Sequence, residues 1–370
     1  MWKRNQSMVA ALARRSWIRR ALFLNPDVWV GALARQPRRQ LTGMARFAWR
    51  GVRLYRAAPK TDVFTVCHWP FAGRVRVVDA IARGLAERVV GRYTADPYVL
   101  LVNRPADPES PLVGRLFEGA ALRVFDWSDD FEEFEVDDAA RARLRGACDF
   151  FLRRSDLVLA VNERLARRAR EVHPAVRLVR NATHYDILCR GASPGLVPAA
   201  VMRRIPRPVI GYMGWLNPAR LDTGLLEAIV EARSAWSLVF LGPATSDRPL
   251  GDRLRKAPNV HRLPPVPYDA LPRYLSAFDV CILPNRINAH TDGNDPLKIY
   301  DYLATGKPIV ATPTAGTEGL EGVLRLAPDA PSFIRAVEDA LGERDDALVE
   351  RRQALARLHS WDVRVAEVAA

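Results

Sequence analysis

Short apolar runs alternate along this chain with stretches whose apolar positions recur at helical spacing. In the first half, Arg20–Pro26, Val63–Cys67, Tyr98–Val102, Leu122–Phe125 and Leu157–Val161 read as strands. In the second half, Val209–Trp215, Trp236–Pro243, Asn259–Leu263 and Phe278–Pro284 do the same. Runs that are apolar throughout, separated by helical stretches, mark strands covered on both faces, and so parallel sheets in an α/β protein. The chain has 370 residues, more than one core usually supports, so two domains are expected. The segment from Gly191 to Pro198, continuing to Pro206-Arg207-Pro208, combines turn formers with little periodicity and is the predicted boundary.

The stretch from Asn294 to Thr312 reads as loop, short helix, turn and strand. Asp295 is a suitable N-cap, Pro296 suits the first helical turn, and Gly306 suits the left-handed position past the helix end. The free N–H groups at such a helix start, with Lys298 in its first turn, form a place for an anion. Asp301 follows on the same face, one turn deeper. A diphosphate at the helix mouth and a carboxylate that accepts from two ribose hydroxyls together suit a nucleotide-diphosphate sugar.

With these blocks in order, the C-terminal half resembles the nucleotide-binding domain of GT-B glycosyltransferases, specifically the family-4-like group. The carrying residues are Val209-Ile210-Gly211-Tyr212-Met213-Gly214-Trp215, Trp236–Pro243, Asn259–Leu263 with Pro267–Pro272, Phe278–Pro284, the 294–312 cradle and Ser360-Trp361-Asp362. In the first half, Val124–Phe131 and Arg154–Leu165 are similar to segments of GT-B enzymes related to teichuronic acid synthesis. Val179–Asp186 matches a segment that usually reads Asn-Gly-Val-Asp, with Ala182 and His184 as departures. The resemblance implies a GT-B fold, two Rossmann-like parallel-sheet domains facing an interdomain cleft. Residues 1–195 would form the acceptor-side domain, 196–355 the nucleotide-sugar domain, and 356–370 a closing helix that crosses back. Family members usually begin with a strand and glycine loop ahead of the equivalent of Trp2–Met8. The expectation here is that this strand is either dispensable or encoded upstream of Met1.

Charge adds a further feature. Residues 1–60 hold fourteen lysines or arginines against one acid, Asp27, which accounts for the whole formal excess of +13. Within 40–56, Leu41, Met44, Ala48 and Tyr55 recur on one side of a helix and Arg39, Arg46, Arg50 and Arg53 on another. Residues 35–56 therefore predict a basic amphipathic helix suited to an anionic membrane surface. Nucleic acid is not an expected partner, because the basic segment lacks regular aromatic interleaving and reader motifs. Cys67, Cys148, Cys189 and Cys281 are scattered, without the spacing of a metal site or disulfide framework, so a reduced cytoplasmic setting, peripheral on the inner face of the plasma membrane, is expected. No metal and no further cofactor are expected.

The expected chemistry is transfer of a sugar from a nucleotide-diphosphate sugar to a polysaccharide or lipid-linked acceptor. The resemblance implies retention of configuration. Lys298 and the helix start would neutralise the diphosphate as the glycosidic bond breaks. Gly211 and Gly214 would allow close backbone approach, and Arg220, Asn294, Asp295 and Asp301 complete the expected donor site. Family members carry two glutamates eight positions apart; the second corresponds to Asp301 and the first falls at Gly293. On the acceptor side, His68 is the candidate base. Asp126, Asp129 and Asp130 either face the substrate or cap the following helix, and His184 is a weaker candidate. A sugar-nucleotide epimerase and a non-catalytic sugar-nucleotide-binding homologue are the alternatives.

Overall fold

The computed structural model describes residues 4–24, 28–29, 52–68, 84, 87–131, 137–244, 250–292 and 294–369. Contacts divide the chain into two compact units. One comprises Asn5–Val102 and Ala106–Val124; the other comprises Met1–Arg4, Asn103–Pro105 and Phe125–Ala370.

The smaller unit holds α1 (Arg4–Ala13) beyond its first residue, β1 (Ala21–Leu24), β2 (Val28–Trp29), β3 (Val52–Ala58), β4 (Thr61–His68), β5 (Val99–Val102), α2 (Pro111–Glu118) and the beginning of β6 (Leu122–Trp127). β1 and β2 run parallel to β4, as the apolar runs predict. β3 is antiparallel to β4, with Val52 opposite Val66 and Tyr55 opposite Val63. This corrects the amphipathic helix expected over 35–56. Its part from 35 to 51 lies outside the described residues, and Val52–Arg56 form a strand. The physical reason is local: Val52-Arg53-Leu54 alternates with period two, β-branched and aromatic residues favour extended backbone, and Pro59-Lys60 closes a hairpin with Lys60 at φ 59°.

The larger unit contains two sheets. The smaller one joins the end of β6, β7 (Leu157–Ala160) and β8 (Val176–Leu178). Around it lie α3 (Asp138–Arg154) and α4 (Glu163–Arg170). Asp137 caps α3 by accepting from the N–H groups of Ala139 and Ala140. The loop after β8 leads into the short helix α5 (Tyr185–Leu188).

The other sheet has six strands: β9 (Val209–Met213), β10 (Ser237–Leu241), β11 (Val260–Leu263), β12 (Val280–Leu283), β13 (Ile309–Ala311) and β14 (Arg325–Leu326). Their order is β11-β10-β9-β12-β13-β14, parallel throughout. β9, β10, β12 and β13 are buried at every position, which is why they read as unbroken apolar runs. The order in which strands are added reverses between β9 and β12: β9, β10 and β11 proceed to one side, and β12, β13 and β14 to the other. In a doubly wound sheet, ligands bind at this switch point, beyond the carboxyl ends of the strands.

The connections of this sheet supply α6 (Thr223–Ala232), α7 (Gly251–Lys256), α8 (Pro272–Leu275), α9 (Ala289–Asp292), α10 (Leu297–Ala304), α11 (Ala330–Leu341) and α12 (Asp346–Leu358), and α13 (Trp361–Ala369) ends the chain. α10 stops as its sequence predicts, with Gly306 at φ 70°. Its end is stapled by Arg352 of α12, which is 1% exposed. Arg352 donates Nη1 to Gly306 O at 3.2 Å and Nε to Val323 O at 2.7 Å, and it grips both carboxylate oxygens of Glu343 at 2.5 and 3.0 Å. No helix among the described residues is long and apolar enough to cross a membrane.

Removing one member of a buried pair strands the other. Arg352→Met, which leaves Glu343 to Arg325 alone, is expected to destabilise this unit by about 3 kcal/mol, measured by urea unfolding.

Candidate functional site

β9 ends at Met213, and Gly214 turns the chain at φ 148°. A Cβ on Gly214 would lie 2.1 Å from Lys298 Cε and 3.0 Å from its Nζ, so the lysine lies directly against the glycine backbone. Lys298 Nζ also sits over the ring of Tyr212, 5.2 Å from its centroid. Burial, reinforced by the nearby Arg220 guanidinium and opposed by Asp301, pushes the Lys298 ammonium down to about 8. Arg220 is half-buried in the turn after β9, where its carbonyl accepts from Arg286 N at 2.8 Å. Gly214, Arg220 and Lys298 therefore converge at the switch point. Gly211 stands apart from them, inside β9, where the Phe278 ring occupies the space a Cβ would need.

α10 carries the lysine and is fixed by its tyrosines. Met213 N donates to Tyr302 OH at 2.6 Å, which ties the helix to the end of β9. Asp301, 6% exposed, accepts at Oδ1 from Thr183 Oγ1 (2.7 Å) and Tyr268 OH (2.6 Å). Burial raises its carboxyl to about 6, against the lowering effect of these two hydroxyls and of Lys298. His184 packs edge-on against Tyr268, with ring centroids 5.3 Å apart.

The helix start corrects the expected cap. α10 begins at Leu297, with Pro296 as the capping residue and no side-chain cap. Asp295 is turned inward instead: Oδ2 accepts from Asn181 N at 2.5 Å and Oδ1 from Tyr300 OH at 2.8 Å. An alternative partner with two donors outcompetes the helix terminus, and burial raises this carboxyl despite those bonds and the nearby Arg180. Asn294 leads into the turn, its N–H donating to Thr291 O at 3.3 Å.

The segment Asn181–Thr183 is also held from behind. Thr183 N donates to His359 O at 2.9 Å, and Trp361 N donates to Thr183 O at 3.1 Å. His359 stacks on Tyr300, centroids 4.7 Å apart, and its Nδ1 accepts from Arg364 Nη2 at 2.6 Å. Burial together with Arg364 and Arg180 pushes this imidazole down to about 4, so it is neutral at neutral pH.

Other sequence candidates lie elsewhere. His68 ends β4 in the smaller unit, and its side chain is outside the described residues. Asp126 neither faces solvent nor caps a helix: it is fully buried and paired with Arg4 at 2.6 Å. Asp130 pairs with Arg164 (3.2 Å) and Arg168 (3.1 Å). Asn181, Thr183, Tyr268, Tyr300 and Tyr302 were given no role by the sequence. The alternation of tyrosines with Asp301 on a helix one side of which is already apolar was the available signal for the last two.

Gly214, Arg220 and Lys298 thus lie together at the switch point, with the buried Asp301 carboxylate one turn further along α10. Residues 207–343 match the family model described as Glycosyl transferases group 1. The chain thus carries, over 207–343, a region similar to group 1 glycosyltransferases. It is 26% identical over 193 residues to TuaH of Bacillus subtilis (strain 168), a protein named for a proposed glycosyltransferase role in teichuronic acid biosynthesis. That match covers 50% of this chain and 48% of TuaH, so it spans about half the length of the curated relative. Among solved structures, sucrose-phosphate synthase from Thermosynechococcus elongatus superposes with TM-score 0.69 at 16% identity, covering 99% of this chain and 90% of the other. HepE from Anabaena in complex with UDP gives 0.63 at 16% identity, covering 95% and 98%. The UDP-forming trehalose-phosphate synthase of Burkholderia xenovorans with glucose-6-phosphate gives 0.64 at 11% identity, covering 95% and 99%. At these identities the structures establish the shared fold.

Two outcomes are expected. Gly214→Ala displaces Lys298 and strains the turn, and is expected to weaken nucleotide binding by tenfold or more, measured by calorimetric titration. Asp301 has a folded value raised above its unfolded one of 3.8, so its ionisation opposes folding increasingly as pH rises to about 6. Asp301→Asn should therefore melt close to the native chain at pH 4 and above it at pH 7.5, while losing nucleotide binding; equal melting at both values would contradict the assigned burial cost.

Proposed function

We propose that this protein transfers a sugar from a nucleotide-diphosphate sugar to a cell-surface polysaccharide or lipid-linked acceptor. The observation that carries the proposal is Lys298 seated against Gly214 at the switch point, with Arg220 beside it and Asp301 one turn deeper. A diphosphate placed at Gly214 meets two cationic side chains and the start of α10. Its negative charge grows as the glycosidic bond breaks, so these groups stabilise the transition state more than the bound substrate. We assign this role to Lys298 and Arg220 in place of a metal ion. Asp301, its Oδ1 already held by two hydroxyls, offers a fixed carboxylate to the ribose hydroxyls.

The acceptor class is proposed from the name of TuaH, and uridine is the first base to test because HepE was solved with UDP and with UDP-glucose. The basic first sixty residues fit an acceptor held on a lipid carrier at an anionic surface. His68 remains the proposed acceptor-side base, and retention of configuration the proposed outcome. The division at residues 195 and 355 is part of the same reading. It is supported by the pairing of Thr183 with Ser360 and by the bond from Arg177 Nη1 to Glu367 O at 3.1 Å, which lay the closing helix on the 176–183 segment.

The experiment is a thermal-shift panel of UDP-, GDP-, ADP- and dTDP-sugars on the native chain and on Lys298→Ala. A ligand at a hundred times its dissociation constant stabilises by about 2.7 kcal/mol. One nucleotide series is expected to stabilise the native chain, with the effect lost in the variant; no shift in the native chain would overturn the donor site. With that donor, kcat/KM is expected to be bell-shaped. It falls below about 6, where Asp301 takes up a proton, and above about 8, where Lys298 loses one.

A further inference from the structure

A chain of buried polar contacts begins at Arg4 and ends at Asp295, just ahead of the helix that carries Lys298. Arg4 is 5% exposed and Asp126 is fully buried. Arg4 Nε lies 3.1 Å from both carboxylate oxygens, and Nη2 donates to Oδ1 at 2.6 Å. Asn103 Nδ2 donates to Oδ2 at 3.0 Å. Arg4 then extends Nη1 to Asn181 Oδ1 at 3.2 Å. Asn181, also buried, donates its backbone N–H to Asp295 Oδ2 and its Nδ2 to Asp295 O, each at 2.5 Å. Lys298 is three residues further along.

The chemistry of these groups makes the chain directional. A guanidinium only donates and a backbone carbonyl only accepts. Between Arg4 and Asp295 O, the Asn181 amide satisfies both neighbours in one orientation alone: oxygen toward the arginine, nitrogen toward the loop. Reversed, it would set oxygen against oxygen and nitrogen against nitrogen in a buried place. A buried ion pair such as Arg4–Asp126 is also a poor source of stability, since well-packed apolar residues commonly replace such pairs without loss. What apolar residues could not do is fix the amide.

We infer that Arg4 is a positioning residue for the donor site, holding the Asn181 amide in the one sense that docks the Asp295–Lys298 loop against Gly214. Asp126 serves by holding the guanidinium, and Asn103 by holding the Asp126 carboxylate. Arg4 touches no substrate in this arrangement; it acts through Asn181. The inference rests on the donor-site assignment and concerns residues remote from the diphosphate.

The test uses the full chain with two variants. Arg4→Met combined with Asp126→Leu removes the pair without leaving a buried charge alone. Asn181→Leu removes the amide and leaves the pair intact. UDP, ADP, GDP and dTDP are titrated calorimetrically against the native chain, and the nucleotide that binds is titrated against both variants across pH. Each variant is expected to lose tenfold or more in affinity. The alkaline midpoint of binding, expected near 8 in the native chain from the burial of Lys298, should move upward, because a lysine released from its buried seat returns toward its ordinary value. A merely structural role would lower the melting temperature and leave that midpoint in place. Unchanged affinity and midpoint in the folded variants overturn the inference. If the double variant does not fold, Asn181→Leu decides by the same criteria. A native chain that binds none of the four nucleotides overturns the donor site itself, and the inference with it, which is distinguishable from a failure confined to the variants.

Discussion

The carboxylate of Asp301 sits almost out of solvent with Thr183 and Tyr268 both donating to one of its oxygens, and the rest of the site is arranged around keeping it there. Thr183 can reach it because the 181–183 segment is pinned by the His359–Trp361 backbone on one side and by Arg4 on another. The same segment grips Asp295, which fixes where α10 begins. Tyr302 ties that helix to β9. A few buried hydrogen bonds thus set the relative places of the glycine turn, the lysine and the carboxylate. Each is worth only about 1 kcal/mol net, yet leaving any partner unsatisfied would cost more.

The site is electrostatically strained in a consistent direction. Burial shifts Lys298 downward and Asp295 and Asp301 upward, so all three are easier to hold neutral than in water. A doubly charged diphosphate beside Lys298 and Arg220 reverses this for the lysine. Sites that carry such cost are commonly those where stability has been traded for function.

The large sheet was legible in the sequence because its strands are buried on both faces, leaving runs such as Val209–Met213 and Val280–Leu283 that nothing else explains. Gly306 was legible for a related reason: its place past the end of α10 depends on neighbours a few residues away. The cap was misread at Asp295 because its real partners, Asn181 and Tyr300, include one 114 residues distant. Asp126 was misread for the same reason, since Arg4 lies 122 residues away. The 52–56 stretch looked helical because Arg46, Arg50 and Arg53 are spaced by four and three, as on a helix face, and the pairing with β4 that makes it a strand is not a local pattern. Local patterns specify elements; side chains with more than one possible partner wait for the tertiary structure.

The backbone pairing of Thr183 with His359 and Trp361 has a bearing on biosynthesis. Strands β9 to β14 can associate as they leave the ribosome, each beside neighbours already made. Thr183 cannot be fixed until residues 359–361 have emerged, and without it Asp301 lacks one of its two hydroxyl partners. The carboxylate is therefore set in place only after residues 359–361 have been made. A chain halted before those residues would carry a formed sheet with an unfinished pocket, so the setting of this carboxylate is timed by the arrival of 359–361 and not by completion of the sheet.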